Sequence, residues 1–268
     1  MLATSCVDVA SSFQLPITNI PTSTELAPFE LTNAHDEIDD GCAPPGARDV
    51  LLELTTPIEQ TFVFDTGGAT TMDVALSLHD GSCPGTASRL ACASSTTVPP
   101  TNMCATPNYN DLVVTLPGPH TYCLVVSETQ PGAQGTVALR VFAAGTAASF
   151  LDPIGPPVAE DACMGAVAPA FDCVSPAGDR AVAASVIMLC PGKTRLLATI
   201  APDPTLTAAV TTHALLPNGP SPQCNVGAGP GSAMMLDEPD LPGPLPYWFL
   251  VQRATSSCGS FHIQATEQ

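Results

Sequence analysis

The sequence predicts an all-β protein made of two tandem antiparallel β-sandwich domains stapled by disulfides. Three observations carry that prediction. Apolar and polar residues alternate at period two through a succession of short segments, as strands with one buried face require. The 268 residues include 29 Pro and 20 Gly, a punctuation too frequent for long helices. Eleven cysteines, none in a CxxC pair, fit a disulfide framework and an oxidising, extracellular compartment better than a metal cluster. A hydrophobic share of 45% is ample for a buried core and excludes disorder as the reading of the chain.

The elements follow in order. The segment 7–32 holds strand-like Phe13-Gln14-Leu15-Pro16-Ile17 and Phe29-Glu30-Leu31. It is expected to pair within its own sandwich, the commoner outcome, or to add an edge strand to a neighbour. Val50, Leu52 and Leu54 share one face of the next strand. In Asp73–His79, Val74, Leu76 and Leu78 point inward while Ser77 and His79 point out. Gln60–Asp65, Leu112–Leu116, Thr121–Val126 and Thr136–Phe142 continue the pattern, separated by turns such as Asp80-Gly81-Ser82 and Pro117-Gly118-Pro119.

The second half repeats this plan. Asp179–Val182 echoes Ala47–Val50, and Pro191–Ile200 echoes Pro57–Phe64. His213 to Cys224 echoes Leu78 to Cys83, Leu245–Val251 echoes Pro119–Val125, and Gly259–Ala265 echoes Gly135–Val141. Five correspondences in one order predict a tandem repeat. The domains are therefore placed at 1–145 and 160–268, joined over 146–159 by a short, stiff Pro/Gly/Ala connection.

The stretches Ala47–Leu54, Phe62-Val63-Phe64-Asp65-Thr66, Met72–Leu78 and Gly81-Ser82-Cys83 resemble bacterial pre-peptidase C-terminal (PPC) type domains. Pro117-Gly118-Pro119-His120-Thr121-Tyr122 with Val125-Val126 looks like that family's late strand. The resemblance covers nearly all of 5–143 and, more loosely, 160–266. It implies jelly-roll-like sandwiches on secreted proteins, accessory rather than catalytic, with calcium bound in some members. The second half lacks the Asp-Thr and Asp-Val-Ala-Leu signatures, so a shared ligand site is not carried over there.

Charge narrows the partners. Seven Lys+Arg against 25 Asp+Glu leave a net charge of −18. That field repels phosphate backbones and anionic lipid, so no nucleic acid is expected, and it suits divalent cations. No apolar run approaches the roughly 20 residues of a membrane span. Met1-Leu2 leads straight into Ala3-Thr4-Ser5-Cys6 with no signal peptide, so the chain is expected to have lost a leader or to be cut from a longer precursor.

Candidate chemistry is sparse. Asp36, Glu37, Asp39 and Asp40 form the densest acidic cluster and could supply oxygen ligands to Ca2+, the only cofactor the sequence suggests. A solvated loop explains the same residues, as it does Asp237-Glu238-Pro239-Asp240. Asp65-Thr66-Gly67 after an apolar strand resembles the aspartic-protease motif, but the second half supplies no partner copy. The five histidines are scattered singly; His79 and His213, at matching strand ends, are read as exposed polar edges. Trp248, alternating with Tyr247 and Phe249, is read as a core residue rather than a sugar-stacking platform.

Cys6, Cys42, Cys83, Cys92, Cys104, Cys123, Cys163, Cys173, Cys224 and Cys258 are expected in disulfides. Position suggests the pairs Cys6–Cys42, Cys83–Cys92, Cys104–Cys123, Cys163–Cys173 and Cys224–Cys258. Cys190 is then left free or paired between chains. The expected function is non-enzymatic and extracellular. The first reading is a structural subunit of a bacterial surface or extracellular assembly, favoured by the odd cysteine and the apolar, low-charge composition, to which the segment 7–32 could add an edge strand for a neighbour. The alternative is an accessory recognition or adhesion module for polysaccharide, peptide or matrix; an aspartic protease is the remote third.

Overall fold

A computed structural model describes residues 9–13, 22–67, 70–84, 88–94, 104, 109–144, 148–163, 166–168, 180–214, 223–254 and 258–268. Among these residues there is no helix, and none is long and apolar enough to cross a membrane. The chain divides into two compact units built on Thr24–Val141 and Phe142–Gln268.

The first unit contains β1 (Val9–Phe13), β2 (Thr22–Glu25), β3 (Phe29–Glu30), β4 (Asp49–Thr56), β5 (Gln60–Asp65) and β6 (Val74–Asp80). It continues with β7 (Arg89–Ala93), β8 (Asp111–Leu116), β9 (His120–Glu128), β10 (Thr136–Val137) and β11 (Arg140–Ala144). One sheet runs β1-β4-β9-β6-β7 and the other β2-β11-β5-β8, with β3 paired to β10. The predicted strand 136–142 is broken in two. The hydroxyl of Thr70 donates to the Ala138 carbonyl and accepts from its amide, taking the place of a neighbouring strand.

The second unit contains β12 (Ala148–Phe150), β13 (Val158–Asp161), β14 (Ala166–Ala168), β15 (Arg180–Leu189) and β16 (Leu196–Pro202). It ends with β17 (Ala208–Ala214), β18 (Gln223–Val226), β19 (Met234–Glu238), β20 (Leu245–Arg253) and β21 (Ser260–Glu267). Its sheets, β12-β15-β20-β17-β18 and β13-β21-β16-β19, have the strand order of the first unit; β14 is an addition on β15. Even the parallel edge recurs, β1 on β4 and β12 on β15. The correspondences at Arg180–Val182, Pro191–Ile200 and Leu245–Val251 fall on strands of equivalent place, β15 with β4, β16 with β5 and β20 with β9. Their register is off by one in β9 and β20, where Tyr122 corresponds to Tyr247. Each donates its hydroxyl to the carbonyl of the proline five residues earlier, Pro117 at 2.6 Å and Pro242 at 2.9 Å. Each also follows a Gly–Pro cis peptide, Gly118–Pro119 and Gly243–Pro244.

Alternation governs β16 and β19, where Leu196, Ala198, Ile200, Met234 and Leu236 are buried between more exposed neighbours. Phe62 and Phe64, two apart on β5, stack at 5.8 Å in the first core. The central strands β6, β9 and β20 are instead buried on both faces. In the first unit the covering layer includes Ile38 and Cys83, packed on Leu51, Cys123 and Val125.

The structure bears on several of these expectations. The N-terminal segment pairs within its own unit through β1 on β4 and β2 on β11. The expected connection 146–159 carries β12 and the start of β13, each an edge strand of the second unit. Trp248 is fully buried, as read, and so are Tyr247 and Phe249. The stretch 237–240 is not simply a loop: Asp237 and Glu238 end β19, with Glu238 buried.

The disulfides follow sheet geometry rather than proximity in sequence. Cys92 lies opposite Ser77, on the outer face of its sheet, and bonds to Cys42. Cys123 lies opposite His79 and bonds to Cys83, just past the end of β6. Asp161 pairs with Ser260, so the same antiparallel register carried two residues further brings Cys163 to Cys258. These bonds rule out the pairs Cys6–Cys42, Cys83–Cys92, Cys104–Cys123, Cys163–Cys173 and Cys224–Cys258. Cys104, Cys190 and Cys224 are also disulfide-bonded, so Cys190 is not a free thiol. Cys6 and Cys173 lie outside the described residues.

Candidate functional site

The predicted acidic cluster is a strap across the outer face of the first sheet. His35 bridges to Asp49 at the start of β4. The buried Asp49 carboxylate then accepts the amides of Glu37 at 3.1 Å and Ile38 at 2.9 Å. Burial pushes the Asp49 carboxyl above its ordinary value. Asp40 turns inward: its Oδ2 lies 2.8 Å from His79 Nε2, and its Oδ1 accepts the Cys42 amide at 2.7 Å. Burial alone would raise its pKa, but bonds from His79, Ser77 and the Cys42 amide outweigh that and hold it down to about 2. Asp36, Glu37 and Asp39 remain exposed. The four carboxylates therefore do not converge. Among the described residues, no three His, Cys, Asp or Glu side chains gather as a metal ion requires.

His79, expected at an exposed edge, is buried instead, with 3% of its side chain accessible. Ser77 and Asp40 both approach the same ring nitrogen, Ser77 at 3.2 Å. A nucleophilic triad needs serine and carboxylate on opposite nitrogens, so this constellation is an anchor for the strap. The Asp-Thr-Gly motif is likewise structural. Asp65 is wholly buried, with Arg140 Nη2 at 2.8 Å from both of its oxygens and the Tyr109 hydroxyl donating at 2.9 Å. Burial pushes its carboxyl up while Arg140 pulls it down. The geometry is that of a buried ion pair, not of two carboxylates sharing a proton.

The side chains left over for a ligand gather where β6 begins and β9 ends. Gln130-Pro131-Gly132-Ala133 forms a turn closed by the Ala133 amide on the Gln130 carbonyl, with Gly132 at φ 85° as a type II turn requires. Glu128 and Arg48 clamp that loop. Glu128 accepts the amides of Gly132 and Arg48, and the Arg48 guanidinium bonds to Glu128 at 2.6 Å and to the carbonyls of Ala133 and Thr32. Opposite, Thr71 exchanges two bonds with Thr136, its amide to the carbonyl and its hydroxyl from the amide. The floor is buried Met72, and a side chain on Gly135 would come within 2.8 Å of its Cβ. Asp73 stands in the wall, its Oδ1 accepting from buried Asn110 at 3.2 Å and its Oδ2 from the Thr129 hydroxyl at 3.0 Å.

The result is an open polar cleft of about 220 Å³. Thr71, Asp73, Thr129, Gln130 and Gln134 line it around Met72 and Ala133. A second notch, about 240 Å³, lies at the other end of β6 and β9 among Asp80, Pro117–Pro119, His120 and Tyr122. There His120 pairs with Asp80, and its ring lies edge-on to Tyr122 at 4.8 Å. Both partners are nearly half exposed, so water screens the pair.

No protein-family model matches the chain, and no curated protein matches it. Among solved structures it is similar to the CUB1-EGF-CUB2 segment of human MASP-1/3, at TM-score 0.25 and 10% identity, covering 90% of this chain and 99% of that one. The rat MASP-1 segment of the same composition gives TM-score 0.25 and 11% identity, with 94% and 99% covered. The tandem CBM22-1–CBM22-2 of Paenibacillus barcinonensis Xyn10C gives 0.23 and 8%, again with 94% and 99% covered. Overlaps this shallow do not separate one chain of paired β-domains from another.

The cleft escaped the sequence reading. Asp73 was absorbed into the strand pattern of Val74–Leu78, and two glutamines four residues apart carry no motif. The Pro131-Gly132 pair was the visible signal, since it marks a fixed turn that holds Gln130 and Gln134 apart.

Proposed function

We propose that this protein is an extracellular, non-enzymatic recognition or adhesion module that binds through its first unit. The observation that supports this reading is the polar cleft around Asp73, lined by glutamines and threonines beside a loop that Arg48 and Glu128 hold by its backbone. The titratable groups that could do chemistry, Asp40 with His79 and Asp65 with Arg140, are consumed in holding the fold. The PPC resemblance agrees with an accessory role. The assembly reading loses two of its supports, because Cys190 is disulfide-bonded and the N-terminal strand is already paired.

The test is retention of the native, non-reduced chain by insoluble extracellular polymers: cellulose, chitin, peptidoglycan sacculi and collagen fibrils. Retention on at least one, with a single-chain mass in light scattering, is the expected result. Failure on all of them, or a large repeating particle in solution, would return the protein to the assembly class.

A further inference from the structure

We infer that the Asp73 cleft takes a neutral saccharide, gripping adjacent hydroxyls between the Asp73 carboxylate and the side-chain amides of Gln130 and Gln134. This inference rests on the recognition reading above and gives it a ligand class. An ionised carboxylate offers about four lone-pair positions. Asn110 and Thr129 each bond one oxygen of Asp73, which fixes the group where it lines the cleft. Each primary amide both donates and accepts, and the Thr71 hydroxyl, which accepts the Thr136 amide, has its proton to give; the Thr129 hydroxyl gives its proton to Asp73 and can only accept. A sugar hydroxyl has the same dual character, so adjacent hydroxyls can give to the carboxylate while receiving from an amide.

The alternatives fit less well. Among the described residues the lining contains no cation for phosphate or sulfate, and the net charge of −18 repels both. Among the described residues it contains no aromatic face, so edge hydrogen bonds rather than stacking hold the ring. A lysine or arginine end of a peptide only donates, and would leave the amide and hydroxyl donors of the cleft unanswered.

The second unit gives an internal comparison. There the backbone contact of Thr129 with Asp73 recurs between Ala254 and Thr207. Thr207 stands in place of Asp73, Ala254 in place of Thr129, and Arg253 in place of the clamp residue Glu128. The contact is repeated without the Asp73 carboxylate and the Thr129 hydroxyl, so one site per chain is expected.

Native affinity electrophoresis tests this, with gels cast in dextran, mannan, arabinoxylan or mixed-linkage β-glucan. The expected result is retardation on at least one, unchanged by 0.5 M NaCl. The double variant Gln130→Ala/Gln134→Ala, which alters exposed side chains only, should bind about tenfold more weakly, the loss of one or two hydrogen bonds. Asp73→Asn should weaken binding similarly, while Thr207→Ala should change nothing. Equal retardation of wild type and the double variant overturns the cleft as the site and leaves the recognition reading standing. Binding to a fluorescent Lys/Arg hexapeptide but to none of the four polysaccharides, with loss in salt, overturns the ligand class. No binding to either probe overturns the inference, and the polymer-retention test then decides separately whether the module reading survives.

Discussion

Asp40 looked like a calcium ligand by its neighbours in sequence and proves to be an anchor by its neighbours in space. Its side chain is 11% exposed, and its pKa is held at about 2. A carboxylate depressed in the folded state adds stability that is present above its unfolded pKa and lost as pH falls towards the folded one. The shift from 3.8 to about 2 corresponds to about 2 kcal/mol. Asp40→Asn should therefore unfold in less urea at pH 7, and the gap to wild type should close as pH falls from about 4 to 2. Arg140 makes a sharper case. Its removal strands Asp65, which is fully buried, so Arg140→Ala should cost about 3–5 kcal/mol in the same assay. A loss well under 1 kcal/mol would mean that the charge finds water.

At the scale of elements, the strap and the tyrosine latch do distinct work. The strap is ordered chain without regular structure, so its backbone entropy must be offset by a few strong attachments. Asp49 accepts two of its amides, Asp40 meets His79, and Cys42–Cys92 closes it over β6 and β7. Replacing Cys42 and Cys92 by serine should lower stability by about 2–4 kcal/mol. Non-reduced peptide mapping should find Cys42–Cys92, Cys83–Cys123 and Cys163–Cys258. A Cys83–Cys92 peptide would contradict the register of β6 with β7. The latch recurs in both units, so Tyr122→Phe and Tyr247→Phe should each cost about 1 kcal/mol in urea denaturation, and similar losses would mark one device used twice. The two units differ beside it. Opposite His79 the first places Cys123, a disulfide partner of Cys83, whereas opposite His213 the second places fully buried Trp248. A covalent tie in one copy stands where bulk apolar packing stands in the other.

Across the whole molecule, charge is distributed unequally between inside and outside. Of seven basic residues, Arg48, Arg89, Arg140 and Arg195 are engaged with acidic side chains. Of the other described acidic residues, all but the buried Asp49, Asp111 and Glu238 reach solvent and repel one another, a penalty that salt screens within about 10 Å at 0.1 M. Raising NaCl from 10 mM to 0.5 M should therefore raise Tm by several degrees, read by calorimetry on the non-reduced chain. A flat response would mean that bound cations already neutralise the surface.

The sequence by itself determined the all-β class, most strand positions and that its cysteines form disulfides. These depend on local signals: Val74, Leu76 and Leu78 alternate whatever lies opposite them, and Pro117-Gly118-Pro119 turns the chain wherever it sits. Tertiary structure alone decided the partners. His79 meets Asp40 across 39 residues, Cys42 meets Cys92 across 50, and Asp73 meets Asn110 and Thr129 from two different loops. Period two tells which face a side chain takes but not which strand lies beside it, and one residue of register moves every side chain to the opposite face. Disulfides, ion pairs and the polar cleft all depend on that lateral order, which forms only when the sheets do.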